Sequence, residues 1–486
     1  MTATYLGLDI GTSSVKAMLI DERQMAIAVR QSSLTVQRPH PGWSEQDAES
    51  WWQAVDLVMG ELKRDHPKEM ARLKGIGLSG QMHGATLLDV ADAPLRPCIL
   101  WNDGRSAAEA RALDDAVTHR ITGNLAMPGF TAPKLAWVKA HEPDLFDKIR
   151  CVLLPKDYVR LKLTGEKASD MSDAAGTLWL DTGKRQWSDE MLARTGLDRS
   201  HMPRVCEGTD ATGTVRAELA RRWGLPEGVV VAGGGGDNAA SAVGVGAVKP
   251  GTGFVSLGTS GVLFVSADGH HPNPDRAVHA FCHAVPGTWH QMSVMLSAAA
   301  SLEWLAHILG APVASLLEGR PDAVDAPPTE QFLPYLSGER TPHNDVAIRG
   351  AFAGLAHETT RDDLVTATLA GVAFAFRDGI SAITVPLANP PALLAVGGGS
   401  RSPYWLSMIA TVLGVPILVP ADGDFGAAFG AARLGLIAAE NADPSMVCTM
   451  PAIARRIEPV AAQRAAWNDA YGRWRRLYPA LKDATR

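Results

Sequence analysis

Two short apolar runs open the chain, Tyr5 to Ile10 and Val15 to Ile20, separated by the small polar stretch GTSS. Apolar runs of this length flanking a Gly/Ser/Thr turn predict a β-hairpin, with Asp9 at its mouth and a loop able to expose several backbone N–H groups. Glu49 to Leu62 then carries Trp, Val, Leu and Met at helical spacing, and Gly75 to Leu78 predicts the next strand, running into SGQMHG. Strand and helix patterns alternate from there on. A second glycine-flanked apolar pair, VSLGTSGVLFV, spans Val255 to Val265, and LLAVGGGSRSPYW, Leu393 to Trp405, brings a third glycine cluster. Between them VVVAGGGGDNAA, Val229 to Ala240, reads as a buried strand followed by four glycines and an acid.

Gly11-Thr12-Ser13-Ser14-Val15 and Gly258-Thr259-Ser260-Gly261-Val262 repeat one another about half a chain apart, each between apolar β-type segments. Either the chain has two related halves with one such loop in each, or five small residues coincide. AVKPGTG, Ala247 to Gly253, interrupts regular structure and is the predicted boundary, giving domains 1–246 and 253–486. A length of 486 residues also favours two sizeable domains over one core.

Composition adds exclusions. With 46% hydrophobic and 20% charged residues and a formal net charge of −6, the chain fits an ordinary globular protein and disfavours a dedicated nucleic-acid binder. Five scattered cysteines with no CxxC pair fit a reducing cytoplasm. No basic-then-apolar leader opens the sequence and no run is long and apolar enough to span a bilayer, so no membrane partner is expected.

A hairpin loop of Gly, Ser and Thr can close around phosphate oxygens because small side chains let backbone N–H groups approach an anion. Each GTS taken alone could equally be a simple turn. Neither loop is a P-loop, since GxxxxGK[ST] is absent from both. Lys16 and Asp9 beside the first loop favour the phosphate reading, because a carboxylate next to a triphosphate can hold Mg²⁺ through waters. Asp237 has two readings from its own segment: a helix N-cap, or a proton acceptor given space by Gly233 to Gly236. His83 and Trp101 could be structural or could face a ligand. His279 and His283 in HAFCHA have metal-like spacing, but no third ligand is evident, and structural roles are expected for both.

Asp9-Ile10-Gly11-Thr12-Ser13-Ser14-Val15-Lys16, then LGTSG, GGGGDNAA and GGGSRSPYW in that order, resemble the FGGY carbohydrate kinases, over nearly the whole chain. GLSGQMHGATLLD, ILWNDGR, MPGFTAPKLAWV and FLPYLSGERTPHN point within that family to the branch acting on a ketopentose. The resemblance implies an α/β fold of two ribonuclease-H-like domains, of the actin, hexokinase and Hsp70 superfamily, with a cleft between them. It implies ATP as co-substrate, Mg²⁺ held with the help of Asp9, and Asp237 as catalytic base. It further implies phosphate contacts from Gly11, Thr12, Ser13, Lys16, Gly258 and Thr259, and adenosine against Gly397, Gly398 and Gly399. Met82, His83, Asp237 and Asn238 would touch the sugar, with Trp101 and Asp103 as further candidates. A homodimer is a family expectation. Other pentose or polyol kinases share these loops, and a nucleotide-driven chaperone or a silent sugar sensor of the superfamily is the rival class. One departure is Ala370, where the family often has an acid.

Overall fold

The structure, a computed structural model, describes residues 2–421 and 426–484. Its first hairpin is formed by β1 (Thr4–Ile10) and β2 (Ser14–Asp21), and β3 (Ala26–Ser33) continues it antiparallel. β4 (Leu73–Gly80) lies parallel to β1 on its other side. β5 (Ala211–Thr214) and β6 (Val230–Ala232) extend the sheet beyond β4, and β7 (Gly235–Gly236) runs alongside the end of β4. The order is β5-β6-β4-β1-β2-β3.

The second sheet repeats this plan. β8 (Gly253–Leu257) and β9 (Gly261–Ala267) form its hairpin; β10 (His279–Cys282) and β11 (Trp289–Met295) follow, with β11 antiparallel to β9. β12 (Leu393–Val396) and β13 (Ile417–Pro420) stack parallel on the other side of β8, and β14 (Ile453–Ile457) closes the edge. Among the described residues both sheets therefore have seven strands, with an antiparallel part, three-stranded in the first and four-stranded in the second, joined through its first strand to two parallel neighbours. The repeated GTS loops are the equivalent β1–β2 and β8–β9 turns, so the repeat extends to topology.

Helices cover both faces of the first sheet, which explains why its strands read as continuous apolar runs. Leu6, Leu8 and Ile10 of β1 pack with Trp51, Val55, Val58 and Leu62 of α1 (Ala48–Asp65). Four further helices matter to the site: α2 (Thr131–His141), α3 (Pro155–Thr164), α4 (Asp237–Val245) and α5 (Ala299–Ile308). The 22-residue α6 (Arg361–Ala382) is apolar and long enough by composition to cross a membrane, but most of it is buried in the second half's core. Ala370 lies on that buried face, where a carboxylate would have no water. α7 (Pro403–Leu413) follows β12.

The last of these helices, α8 (Ala427–Glu440), crosses over. It comes from the C-terminal half of the chain yet covers the face of the first sheet opposite α1. Gly7, Gly75 and Gly77 make this close approach possible: a Cβ on Gly7 would fall 1.8 Å from the Ala428 carbonyl oxygen, and one on Gly77 1.8 Å from that of Ala431. α8 also packs on α4, where a Cβ on Gly430 would sit 1.7 Å from the Ala240 oxygen. The strands of the first sheet all precede α4 and those of the second all follow it, and α8 brings the C-terminal half back onto α4 and the first sheet.

Candidate active site

Asp9, next to the last residue of β1, lies directly opposite Lys16 on β2. The Ser79 hydroxyl, from the neighbouring β4, donates to Asp9 Oδ1 at 3.0 Å. Burial pushes the Asp9 carboxyl up, against the opposing pull of Ser79 and Lys16, and burial lowers the Lys16 ammonium while Asp9 supports it. The Gly11 N–H closes the turn on the Ser14 oxygen at 3.0 Å. Thr12 is the loop's anchor. Its hydroxyl donates to Gln81 Oε1 at 2.8 Å and accepts from the Trp101 indole N–H at 3.0 Å, while Gln46 Nε2 donates to its carbonyl at 2.6 Å. Gln81 also donates to Gln46 Oε1 at 2.9 Å, so two buried amides fix the loop from beneath and leave Ser13 exposed.

The four glycines before Asp237 answer to crowding as well as to conformation. A Cβ on Gly233 would lie 2.0 Å from the Glu207 oxygen; Gly234 has φ +82°, and its Cβ would lie 2.3 Å from the Leu78 oxygen. Gly236 leaves room for Met82, whose sulfur would be 3.0 Å from an added Cβ. The Gly236 N–H donates to Ser172 Oγ at 3.0 Å, which fixes the turn just before the acid. Asp237 is then the first residue of α4, and the cap position belongs to Gly236, which has no side chain to cap with. The carboxylate is instead held through one oxygen: Asp237 Oδ1 accepts from the Asn238 backbone N–H at 2.7 Å and from Asn238 Nδ2 at 2.9 Å. Those bonds leave Oδ2 available to a ligand. The Asp237 pKa is pushed up to about 6, first by burial and then by the Asp9 charge, with the Asn238 bonds acting in the opposite sense. The two acids are therefore electrostatic neighbours.

Asp237 and Asn238 line a cavity of about 280 Å³ whose walls come from both halves of the chain. Met82, His83, Trp101, Met127 and Phe130 form one side. The other side is one face of the second sheet. Val262 pairs with Val294 and His279 with Met292, so strand alternation points all four the same way, with Arg340 beside them. His83 sits at φ +69°, an uncommon backbone for a residue with a Cβ. Its carbonyl is held there by Lys134 Nζ at 2.8 Å and the Thr131 hydroxyl at 3.1 Å, both on α2. His83 Nδ1 lies 2.6 Å from the Gly176 oxygen, which makes Nδ1 the protonated nitrogen. Burial lowers the ring's pKa to about 3, so Nε2 is a neutral acceptor for a ligand hydroxyl.

Larger cavities adjoin. One of about 830 Å³ is bounded by Leu257, Gly258 and Thr259, by Leu302 and Glu303 of α5, and by Gly398, Gly399 and Trp405. Another, of about 1110 Å³, takes in Gly397, Gly398 and Ser241. Gly258 is common to the 280 Å³ and 830 Å³ cavities, and its carbonyl accepts the Ala299 N–H at 2.9 Å at the start of α5. Gly397 has φ +88° and packs on the Leu257 carbonyl, whereas nothing lies within 4 Å of a Cβ on Gly398.

Most of the candidates from sequence thus gather around one cleft: Met82, His83, Trp101, Asp237, Asn238 and Gly258 on the smaller cavity, Thr259 and Gly397 to Gly399 on the larger ones. Gly11, Thr12, Ser13 and Lys16 share the first hairpin with Asp9, tied to the smaller cavity through Thr12 and Trp101. Trp101 is 43% exposed and is no core residue. Asp103 is a correction. It is buried away from the cavity, with Arg105 Nε at 2.8 Å and Nη2 at 2.7 Å and the Ser44 N–H at 2.6 Å on its oxygens, so its polar valences are filled inside the protein. His283 is structural, bonded to the Ala247 oxygen at 3.2 Å. His279 lines the cavity, with Nε2 3.2 Å from Arg340 Nη1. Phe130, Met292, Val294 and Arg340 line it too and are not distinguished by the sequence patterns, although the GERTP and PGFTAPK stretches contain Arg340 and Phe130.

Comparison with known proteins supplies the context. Residues 4–244 match the FGGY family of carbohydrate kinases, N-terminal domain, and residues 253–439 its C-terminal domain. The chain is 49% identical over 482 residues to a xylulose kinase of Escherichia coli (strain K12), covering 98% of this chain and 99% of the relative. It is 50% identical over 452 residues to that of Klebsiella pneumoniae, covering 92% and 93%. Among solved structures, a xyloylose kinase from Brucella ovis superposes with a TM-score of 0.97 at 58% identity, covering 99% and 100%.

Proposed function

The chain belongs to the FGGY family of carbohydrate kinases, and from that premise we propose that it transfers the terminal phosphoryl group of ATP to the C5 hydroxyl of D-xylulose. The products are ADP and D-xylulose 5-phosphate. The observation that carries the reading is the position of Asp237, with Oδ1 held by Asn238 and Oδ2 available in the 280 Å³ cavity, which shares Gly258 with the 830 Å³ one.

On this reading the sugar occupies the smaller cavity and the nucleotide the larger, a volume within the usual range of small-molecule sites. The C5 oxygen attacks the γ-phosphorus, the bond from that phosphorus to the β–γ bridging oxygen breaks, and Asp237 Oδ2 takes the C5 hydroxyl proton. A general base of this kind contributes ~10²- to 10⁴-fold. A pKa near 6 suits the task, because the carboxylate is ionised at neutral pH and still close enough in basicity to accept a proton. Backbone N–H groups of Gly11 to Ser13 and of Gly258 and Thr259 would hold phosphate oxygens without strain from side chains. His83 Nε2 would accept from a sugar hydroxyl, and Met82 and Phe130 would pack against the sugar's C–H groups.

The donor set fits Mg²⁺. Asp9 offers hard carboxylate oxygens, and burial raises the pKa of both Asp9 and Asp237, a setting in which a bound cation would favour their charged forms. Asp9 would hold the ion, which when bound supplies neutralisation of phosphate charge. The two domains are assigned as 1–246 and 253–486, with α8 returning to the first, and the five buried, unpaired cysteines support a cytoplasmic setting.

A coupled ADP-release assay over ketoses, aldoses and polyols tests the reading, with D-xylulose expected to give the highest kcat/KM. Turnover of other sugars without D-xylulose would overturn the acceptor; no turnover with any would overturn phosphoryl transfer.

A further inference from the structure

Ring chemistry restricts what the acceptor can look like. A 2-ketopentose closes to a furanose through its C5 oxygen, so a molecule presenting a free C5 hydroxyl is in the open-chain form and carries a C2 carbonyl. A carbonyl oxygen only accepts hydrogen bonds. The cavity therefore needs a donor for it, and several of its polar groups are unsuited. His83 Nε2 accepts, because Nδ1 carries the proton toward Gly176. Asp237 accepts. The Trp101 N–H is committed to Thr12.

Arg340 is different. Among the described residues its guanidinium forms no ion pair, and its side-chain hydrogen bond is to His279 Nε2 at 3.2 Å. A guanidinium has no lone pair to offer, so His279 Nε2 is the acceptor and fixes one corner of the Arg340 fork. Among the described residues the adjacent carboxyl makes no side-chain bond to the guanidinium. Glu339 Oε1 turns back onto the Leu296 N–H at 2.9 Å and the Arg340 N–H at 2.8 Å, and Oε2 is buried without a hydrogen-bond partner. Burial pushes the Glu339 carboxyl up to about 8, against the pull of its two N–H bonds and of the Arg340 charge, so burial works against its charged form. The loop is held closed by paired N–H···O bonds between Glu339 and Asp345 at 2.8 Å. A positioned, donor-only cation thus faces the cavity with N–H groups to spare.

We propose that Arg340, oriented by His279, donates to the C2 carbonyl oxygen of the open-chain acceptor and is the residue by which the site prefers a 2-ketose to the corresponding alditol. This rests on the acceptor proposed above. An alditol has a hydroxyl where the ketose has a carbonyl, and that hydroxyl can turn its proton toward His83 Nε2 or water when Arg340 is gone. The carbonyl can only accept, so without Arg340 it is left to neutral donors, Asn238, Ser256, Ser260 or water, and its charged hydrogen bond is lost.

The test compares parent, Arg340→Met and Arg340→Lys with ATP and Mg²⁺, measuring kcat and KM for D-xylulose and the inhibition constant of xylitol. Arg340→Met is expected to lower kcat/KM for D-xylulose by ~10- to 100-fold, the scale of a lost charged hydrogen bond, while the xylitol constant moves by less than about threefold; Arg340→Lys should recover part of the ketose loss. An equal loss on ketose and alditol, or no loss on either, overturns the role of Arg340. Should Arg340→Met melt below the assay temperature, Arg340→Gln supplies the same ketose-to-alditol comparison, with the same outcomes supporting or overturning the role. A parent enzyme inactive on D-xylulose overturns the acceptor reading instead, a result distinct from either outcome above.

Discussion

Asp237 owes its setting to residues without side chains as much as to its own carboxylate. Gly233, Gly234 and Gly236 each pass too close to a neighbour for a Cβ to fit freely, which brings the start of α4 under the cleft. Asn238 then occupies one carboxylate oxygen and leaves the other to a ligand. Asp237→Asn keeps the size and removes the proton acceptor, so saturating-substrate turnover is expected to fall ~10²- to 10⁴-fold with an unchanged melting temperature and measurable ATP binding. Because the raised pKa of about 6 means that protonation removes the base, the parent's kcat/KM for sugar should fall as pH drops through that value. Asp9→Asn should lower turnover on the order of 10²-fold or more while sugar binding measured by calorimetry persists. Asp237, Asn238 and His83 were legible in the sequence because short ordered motifs surround them. Asp103 was misread for the same reason: it sits in such a motif, and only its contacts with Arg105 and Ser44 reveal that it is internally satisfied. His279 and Arg340 meet across 61 positions of sequence, a distance over which no local pattern speaks.

At the level of elements, both GTS hairpins were legible because apolar runs and small-residue turns are local signals. The crossover of α8 was not, since Gly7 and Ala428 touch only in the folded chain. That contact makes glycine indispensable at several points. Gly430→Ala would drive a methyl into the Ala240 carbonyl and part α8 from α4, the helix that begins with Asp237. A loss of about 1–3 kcal/mol in thermal or denaturant unfolding is expected, together with reduced turnover. Gly60→Ala is the contrast. Gly60 is exposed within α1 with nothing near its missing Cβ, and its replacement should add about 0.5–1 kcal/mol. Equal tolerance of both changes would show that the α4–α8 contact is looser than its geometry.

At the scale of the whole molecule, two sheets share six strands of the same order and direction, and α8, from the C-terminal half, packs on α4 and on the first sheet. The repeat was visible as five small residues, yet only the sheet order separates shared topology from coincidence. The cleft so formed places a small cavity with Asp237 at its edge against a larger one lined by Gly258, Thr259, Gly398 and Gly399. That adjacency is what in-line transfer from nucleotide to sugar requires. Phosphorus-31 NMR of a reaction containing the protein, ATP, Mg²⁺ and D-xylulose tests it most directly. A phosphomonoester on C5, formed in step with ADP, is the expected spectrum; release of inorganic phosphate alone, or a monoester on any other carbon, would contradict the proposed transfer.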